Sequence, residues 1–476
     1  MKNVLGYLAN IILVAGLMFF APALVGLIYL EYFSVINFVG LAVTFTTSGF
    51  LLRKRLPLQE VTLLEAMVTS ALAWLVVSGI GAIPYTTIAG MPYLDAYFEA
   101  MSGFTTTGMT LIRDVEVMPY SLLFWRSFTQ WIGGVGIVVL FILFVTPTGL
   151  GVGVWRLYTA EAREERLAAS TKASVKRIWQ IYIIYTVACA LLLMLVGINP
   201  FEAVNHSLAA LSTGGFSTRN LSVEAFNNPA AEAILTLFMF LGAINFLVHL
   251  RVFNRGPYEF VKSSEVRGSL FIVAASSALI SLDLVTHGLA NVIEALRLSV
   301  FQTVSTMTTT GYASVDIIIF PPLSKMILLI LMAVGGGVGS TAGAIKVIRV
   351  IILAKLVYYL LTKMTLPPST IKPMMMGDHP LHEEEALRVA GFFAAYILLI
   401  IGGVLILTTY GLDPFASSSA VFSALGNVGL AFLPLYELPV IPKITLIFEM
   451  WAGRLEIIPI LLLLMPRSWG KLLERS

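Results

Sequence analysis

Thr106-Thr107-Gly108-Met109-Thr110, Thr213-Gly214-Gly215-Phe216-Ser217, Thr309-Thr310-Gly311-Tyr312-Ala313 and Asn427-Val428-Gly429-Leu430-Ala431 are four versions of one pentapeptide. The shared order is polar, any residue, glycine, apolar, small, with the glycine at 108, 215, 311 and 429. Each copy follows a short semi-apolar stretch: Tyr93 to Ser102, Phe201 to Leu211, Ala290 to Val304 and Phe415 to Leu425. Crossing a bilayer core takes about 20 helical residues. The stretches are too short for that and predict half-helices that enter and return on one face. A single loop of this kind could be an extracellular turn, because Gly, Thr and Asn are common turn residues. Four in register, spaced by about one hundred residues, make an internal repeat.

The rest of the chain supplies the medium for such a repeat. Of 476 residues, 58% are hydrophobic and 12% charged, against roughly 25% charged in a soluble domain. Mean hydropathy is +0.89. The fold class expected is an all-α polytopic membrane protein. Its ten spans lie near 5–30, 33–52, 61–83, 121–145, 178–197, 229–250, 268–286, 322–350, 386–409 and 440–465. Ala21-Pro22-Ala23 resembles a signal-peptidase site, but Lys2 alone is positive before it and the apolar run continues to Leu30. The segment therefore reads as the first membrane helix.

All but seven of the 30 Lys and Arg residues fall on one side of this topology. The seven are Arg113, Arg126, Arg219, Arg297, Lys325, Lys443 and Arg454. The basic side is cytoplasmic, and both termini with it. Net charge is only +3, which offers nothing to a nucleic acid, and Cys189, the single cysteine, excludes an intrachain disulfide.

Short half-helices imply a polar centre, because non-helical backbone at membrane depth is tolerated only around protein or a water-filled cavity. Backbone carbonyls from four loops can replace the water shell of a monovalent cation. Glycine opens conformations closed to other residues, and flanking Thr and Ser add hydroxyl oxygens. The C-terminal dipole ends of the half-helices would face the ion. No pentapeptide holds a carboxylate, which argues against a divalent-cation ring.

These four loops, with Gly453-Arg454-Leu455-Glu456-Ile457 in the last helix, resemble the Trk/Ktr/HKT superfamily of potassium transporters. The likeness covers the chain from about Leu5 to its end, and the extra N-terminal helix pair points to a TrkH-type membrane subunit. The resemblance implies an N-terminal pair over 1–55 and pore repeats over 56–150, 151–262, 263–370 and 371–476. It also implies potassium as the transported ion, no bound cofactor, a homodimer in membrane lipid, and a cytosolic nucleotide-binding regulatory ring of the TrkA type. The implied potassium-binding filter comprises Thr106, Thr107, Gly108, Thr213, Gly214, Gly215, Thr309, Thr310, Gly311, Asn427, Val428 and Gly429. Only Gly311-Tyr312 echoes the Gly-Tyr-Gly filter of tetrameric potassium channels, and that departure suggests less strict selectivity.

Gly335-Gly336-Gly337-Val338-Gly339-Ser340-Thr341-Ala342-Gly343 interrupts the third repeat's second helix. Glycine costs about 1 kcal/mol against alanine in a helix, so this run should unwind at mid-membrane. The resemblance makes it a gate (Gly335, Gly336, Gly337, Gly339, Ser340). The alternative is helix packing through the Gly335/Gly339 pair. A G-x-G-x-x-A match at Gly337–Ala342 lacks the preceding strand that dinucleotide binding needs.

Arg454 lies mid-way along the last apolar segment, where a charge is a functional candidate. By resemblance it projects below the filter as a barrier; the alternative is an ion pair with Glu456 or Glu449. Arg126, Glu65 and Asp283 are expected at membrane interfaces, and Gly133, Gly134 and Gly136 at packing positions against a half-helix. The basic segments 156–177 and 346–388 suit a soluble partner. Asp378-His379-Pro380-Leu381-His382-Glu383-Glu384-Glu385 reads as a helix start with acidic residues in its first turn. Two rival functions remain: sodium- or proton-coupled symport, which calls for carboxylates on the pathway, and a membrane-embedded enzyme, for which no catalytic constellation is recognisable.

Overall fold

The computed structural model describes residues 2–56, 62–145, 171–367, 374–376, 379–381 and 383–474. It is helical throughout, with two small two-stranded pairings. Among the described residues six helices are long and apolar enough to cross a membrane, or seven when one bent pair counts as a span. Large apolar side chains such as Ile36, Phe271 and Ile293 face outward, while Ser102, Thr107, Thr213, Thr303 and Thr310 are buried. That inversion suits a protein whose outside is lipid and whose centre handles something polar.

All four half-helices form, as Tyr93–Phe104, Pro200–Leu211, Val292–Met307 and Pro414–Gly426. Three start at a side-chain cap. Asn199 accepts from Phe201 N, Asn291 from Glu294 N and Asp413 from Ala416 N. Pro200 and Pro414 stand in the first turn, where a missing N–H costs nothing. All four end alike. Thr106, Thr213, Thr309 and Asn427 turn left-handed, with φ of 53°, 53°, 58° and 55°. The next residue's N–H then reaches back five positions: Thr107 to Ser102 O, Gly214 to Ala209 O, Thr310 to Ser305 O and Val428 to Ser423 O, at 2.8–2.9 Å. This is the Schellman ending, normally built on glycine.

Three of the expected spans are interrupted. The helix from Pro229 ends at Gly242, bends by 100°, and restarts at Phe246 under an Asn245 cap. The helix from Pro322 ends at Met332, and its glycine-rich continuation runs irregularly to a new helix, Val347–Thr365. The helix from Val440 ends at Arg454, where Glu456 and Ile457 take positive φ ahead of Pro459. The first span is also kinked at Phe19; Pro22 cannot donate to Met18 and crowds its carbonyl.

The expected interfacial trio is corrected. Arg126, Glu65 and Asp283 are all buried. Glu65 closes a capping box with Thr62, and Asp283 accepts from the backbone and hydroxyl of Ser324. Lys346, counted with the cytoplasmic basic residues, is also buried. Of the basic segment 156–177, residues up to 170 lie outside the described residues, as do Asp378 and His382 of the acidic run. His379–Leu381 pairs antiparallel with Met374–Met376, and the following helix begins at Glu383.

Candidate functional site: a ring of four loops and the loop that meets it

Each half-helix hands its chain to one pentapeptide loop, and the loops touch in a closed cycle. Gly108, Gly215, Gly311 and Gly429 have φ of 84°, 76°, 80° and 99°. A Cβ on Gly108 would lie 2.2 Å from Gly214 O, and one on Gly215 would lie 1.8 Å from Thr310 O. On Gly311 it would lie 1.9 Å from Val428 O, and on Gly429 2.5 Å from Thr107 O. Every loop's glycine thus abuts the residue before the glycine in the next loop, and the fourth returns to the first. Any side chain there is excluded twice, by backbone conformation and by the neighbouring carbonyl.

The residue that opens three of the four loops is strained. Three of the four are threonines, and a β-branched residue at positive φ is an outlier costing roughly 1–2 kcal/mol. Such strain persists where surrounding contacts over-determine it, and it concentrates at functional sites. Thr107 Oγ1 lies 2.7 Å from Thr105 Oγ1, and Thr310 Oγ1 lies 2.8 Å from Thr308 Oγ1. Asn427 Nδ2 donates to Thr107 Oγ1 (3.0 Å) and to Met450 O (2.9 Å), joining loops four and one. The Thr106 hydroxyl, Asn427 Oδ1 and Arg454 Nε are buried with no hydrogen-bond partner among the described residues. Buried polar atoms of that kind call for water or an ion.

The glycine-rich segment of the third repeat meets the ring at the ends of the half-helices. It is not a helix, so the Gly335/Gly339 helix-packing alternative falls. Val334–Gly335 pairs parallel with Ile345–Lys346, closing a loop between them. Thr341 Oγ1 donates to Gly242 O (2.9 Å) and is 3.1 Å from both Leu211 O and Thr213 Oγ1. Gly343 N donates to Thr309 Oγ1 at 2.8 Å. Gly337 N and Thr341 N take the carbonyls of Ala243 and Gly242. The bend after Gly242 therefore frees helix-end carbonyls for this loop to use. Glu265 accepts from Val338 N at 3.1 Å, and Lys346 Nζ donates to Ala342 O.

Arg454 joins this loop to the first repeat. Its Nη1 donates to Thr341 O (2.7 Å) and its Nη2 to Gly133 O (2.8 Å). Neither expected ion-pair partner takes it: Glu456 pairs with Arg349 Nη2 at 2.5 Å, and Glu449 makes no ion pair among the described residues. Gly133 and Gly134 fit their packing role; added Cβ atoms would strike Phe104 O and the Ser212 side chain.

Sequence reasoning missed the polar support behind loops one and two. Glu99, inside the first half-helix, accepts from Thr110 Oγ1 (2.6 Å), Leu111 N (2.5 Å) and Ile112 N (3.3 Å). Arg126 Nε lies 3.7 Å from Glu99, and Arg126 Nη1 donates to Ser217 O at 2.9 Å. The signal was available: a carboxylate within an apolar half-helix and a lone arginine within a span are each costly unless paired.

A helical membrane protein with this fold belongs to the class of cation-transport proteins. The chain is a member of the TrkH cation transport protein family, which matches residues 34–471. It is 36% identical to an uncharacterized cation transporter of Methanocaldococcus jannaschii, over 97% of this chain and 95% of that protein. It is 33% identical to the Trk system potassium uptake protein TrkH of Vibrio parahaemolyticus, over 94% and 95%. The TrkH of Escherichia coli K12 is 32% identical over 96% and 97%. The crystal structure of the potassium transporter TrkH from Vibrio parahaemolyticus superposes with a TM-score of 0.90 at 29% identity, covering 98% of this chain and 99% of that one.

Proposed function

We propose that this chain is the pore subunit of a potassium-uptake system, with the four loops as its ion filter and the segment Gly335–Lys346 as its gate. The closed cycle of loop contacts carries the reading. An ion inside such a ring exchanges its water for backbone oxygens held at fixed spacing. The filter residues are Thr106 to Gly108, Thr213 to Gly215, Thr309 to Gly311 and Asn427 to Gly429. Likeness to proteins named for potassium uptake supports potassium as the ion.

Flux is channel-like and inward, since moving one positive charge inward gains about 2.3 kcal/mol per 100 mV. The gate holds loops two and three through Thr341 and Gly343. Arg454 bridges the gate to the first repeat and adds a positive charge that disfavours a cation leaving the filter. The chain sits in the cytoplasmic membrane with both termini inside, as a homodimer whose gate answers to a cytosolic nucleotide-binding ring; the basic side of the topology supports that orientation. The test is reconstitution into liposomes under potassium, rubidium, sodium and lithium gradients. Uptake selective for potassium and rubidium is expected. No selective flux, with or without the regulatory ring, defeats the proposal.

A further inference from the structure

We infer that Gln130, on the helix Tyr120–Val145, is a positioning residue that sets the ion selectivity of the ring by clamping loop two. This rests on the reading of the loops as a potassium filter. Gln130 is fully buried. Its Nε2 donates to Gly214 O at 2.6 Å, and its Oε1 accepts from Phe216 N at 3.0 Å. Both ends of the amide are thereby committed. A flipped amide would set donor against donor and acceptor against acceptor, so the orientation is fixed by chemistry.

Position 214 shows why the amide fits. In loops one, three and four that position holds Thr107, Thr310 and Val428; loop two alone has glycine there. Gly214 is not among the glycines with positive φ, so its backbone does not require glycine. Space does: a Cβ on Gly214 would lie 2.4 Å from Gln130 Cδ and 2.6 Å from its Oε1. Gly214 and Gln130 are one unit, in which the side chain missing from the loop is replaced by an amide from the adjacent helix.

The consequence is an asymmetric ring. Gly214 O is the atom that a Cβ on Gly108 would strike at 2.2 Å, so it belongs to the cycle of loop contacts. Among the described residues it is the only one of the four equivalent oxygens, at Thr107, Gly214, Thr310 and Val428, with a hydrogen-bond donor. Arg126, one turn earlier on the same helix, holds Ser217 O and lies 4.0 Å over the Phe216 ring. That helix face therefore grips loop two from residue 214 to residue 217. A loop held so firmly cannot contract around an ion smaller than potassium; released, it can.

Rubidium and sodium uptake by the full chain in proteoliposomes tests this. Gln130→Leu should lower the rubidium-to-sodium uptake ratio about two- to tenfold by admitting sodium, the fold-change a net amide hydrogen bond can supply. Gln130→Glu keeps the acceptor for Phe216 N–H, loses the donor to Gly214 O, and should lower the ratio as well. Gly214→Ala should cut total flux through its clash with the amide. Gly214→Ala with Gln130→Ala should restore flux while leaving the ratio low. A merely structural Gln130 would change folded yield and leave the ratio of the remaining flux intact. Unchanged ratios in both Gln130 variants, or no recovery of flux in the pair, overturn the inference; should Gln130→Leu not fold, Gln130→Glu and the pair decide. Failure of the unsubstituted protein to distinguish the ions would instead defeat the filter reading itself.

Discussion

Loops one to four and the segment that meets them from the third repeat are both built on glycine, but for different reasons. In the ring, each pentapeptide glycine has positive φ and abuts a carbonyl of the next loop, so one role recurs four times. In the proposed gate segment, Gly339 alone among the glycines takes a positive φ. Gly335, Gly336 and Gly343 instead make room for backbone: added Cβ atoms would meet Gly343 O at 2.0 Å, Ala243 O at 2.4 Å and Gly426 O at 2.4 Å. The glycine contact is repeated around the ring, whereas the proposed gate occurs once and leans on loops two and three. Substitutions at the four pentapeptide glycines should therefore change which ion passes, and substitutions in the proposed gate should change how much passes.

The sharpest break of that contrast is Gly311→Ala. Its methyl meets Val428 O at 1.9 Å and a left-handed backbone at φ 80°, and the conformation alone costs about 1–2 kcal/mol. Potassium-over-sodium selectivity in liposome uptake should fall at least tenfold, about what 1.4 kcal/mol is worth. Selectivity retained with normal flux would show that the ring does not choose the ion. Arg454→Ala comes next. It deletes two charged hydrogen bonds, each worth roughly 1.5–3 kcal/mol, together with a positive charge. Resting potassium flux should rise about tenfold or more with the ion ratio unchanged; equal flux would reduce Arg454 to a structural tie.

A milder probe of the gate is Thr341→Val, which keeps shape and removes the hydroxyl bonds to Gly242 and Leu211. At about 1 kcal/mol per neutral hydrogen bond, resting flux should rise a few-fold, and a changed ion ratio would mean that gate and filter are not separate. The smallest effect on transport is expected from Asn427→Thr, which gives loop four the residue that opens the other three loops. The left-handed turn has three threonine precedents here. The Nδ2 bonds to Met450 O and Thr107 Oγ1 are lost and threonine adds strain at this turn, so thermal stability should drop by about 2 kcal/mol with the ion ratio within about twofold. A large loss of selectivity would make loop four's asparagine a specificity element.

Legibility in the sequence followed the same contrast. The loops and half-helices were readable because their signals are local and repeated: a short semi-apolar stretch, followed each time by one pentapeptide with its glycine in the third place. The breaks at Gly242 and Arg454 were not readable. Hydropathy averages across them, and their causes are partners about one hundred residues distant: Thr341 for the Gly242 carbonyl, Gly337 N for the Ala243 carbonyl and Arg349 for Glu456. The glycine run announced a break near 335, but not which carbonyls it would use. Arg126 read as interfacial because its partner Glu99 belongs to a different helix, and Lys346 read as a cytoplasmic charge although it folds back onto its own loop at Ala342. Gln130 carried no signal by itself; the glycine at 214, where the other loops have a side chain, was the only trace.

The most direct test of the account is anomalous scattering from crystals of the protein grown in rubidium. A peak is expected on the axis enclosed by the loops at Thr107-Gly108, Gly214-Gly215, Thr310-Gly311 and Val428-Gly429. An ordered ring with no peak there, in protein that still takes up rubidium, would contradict it.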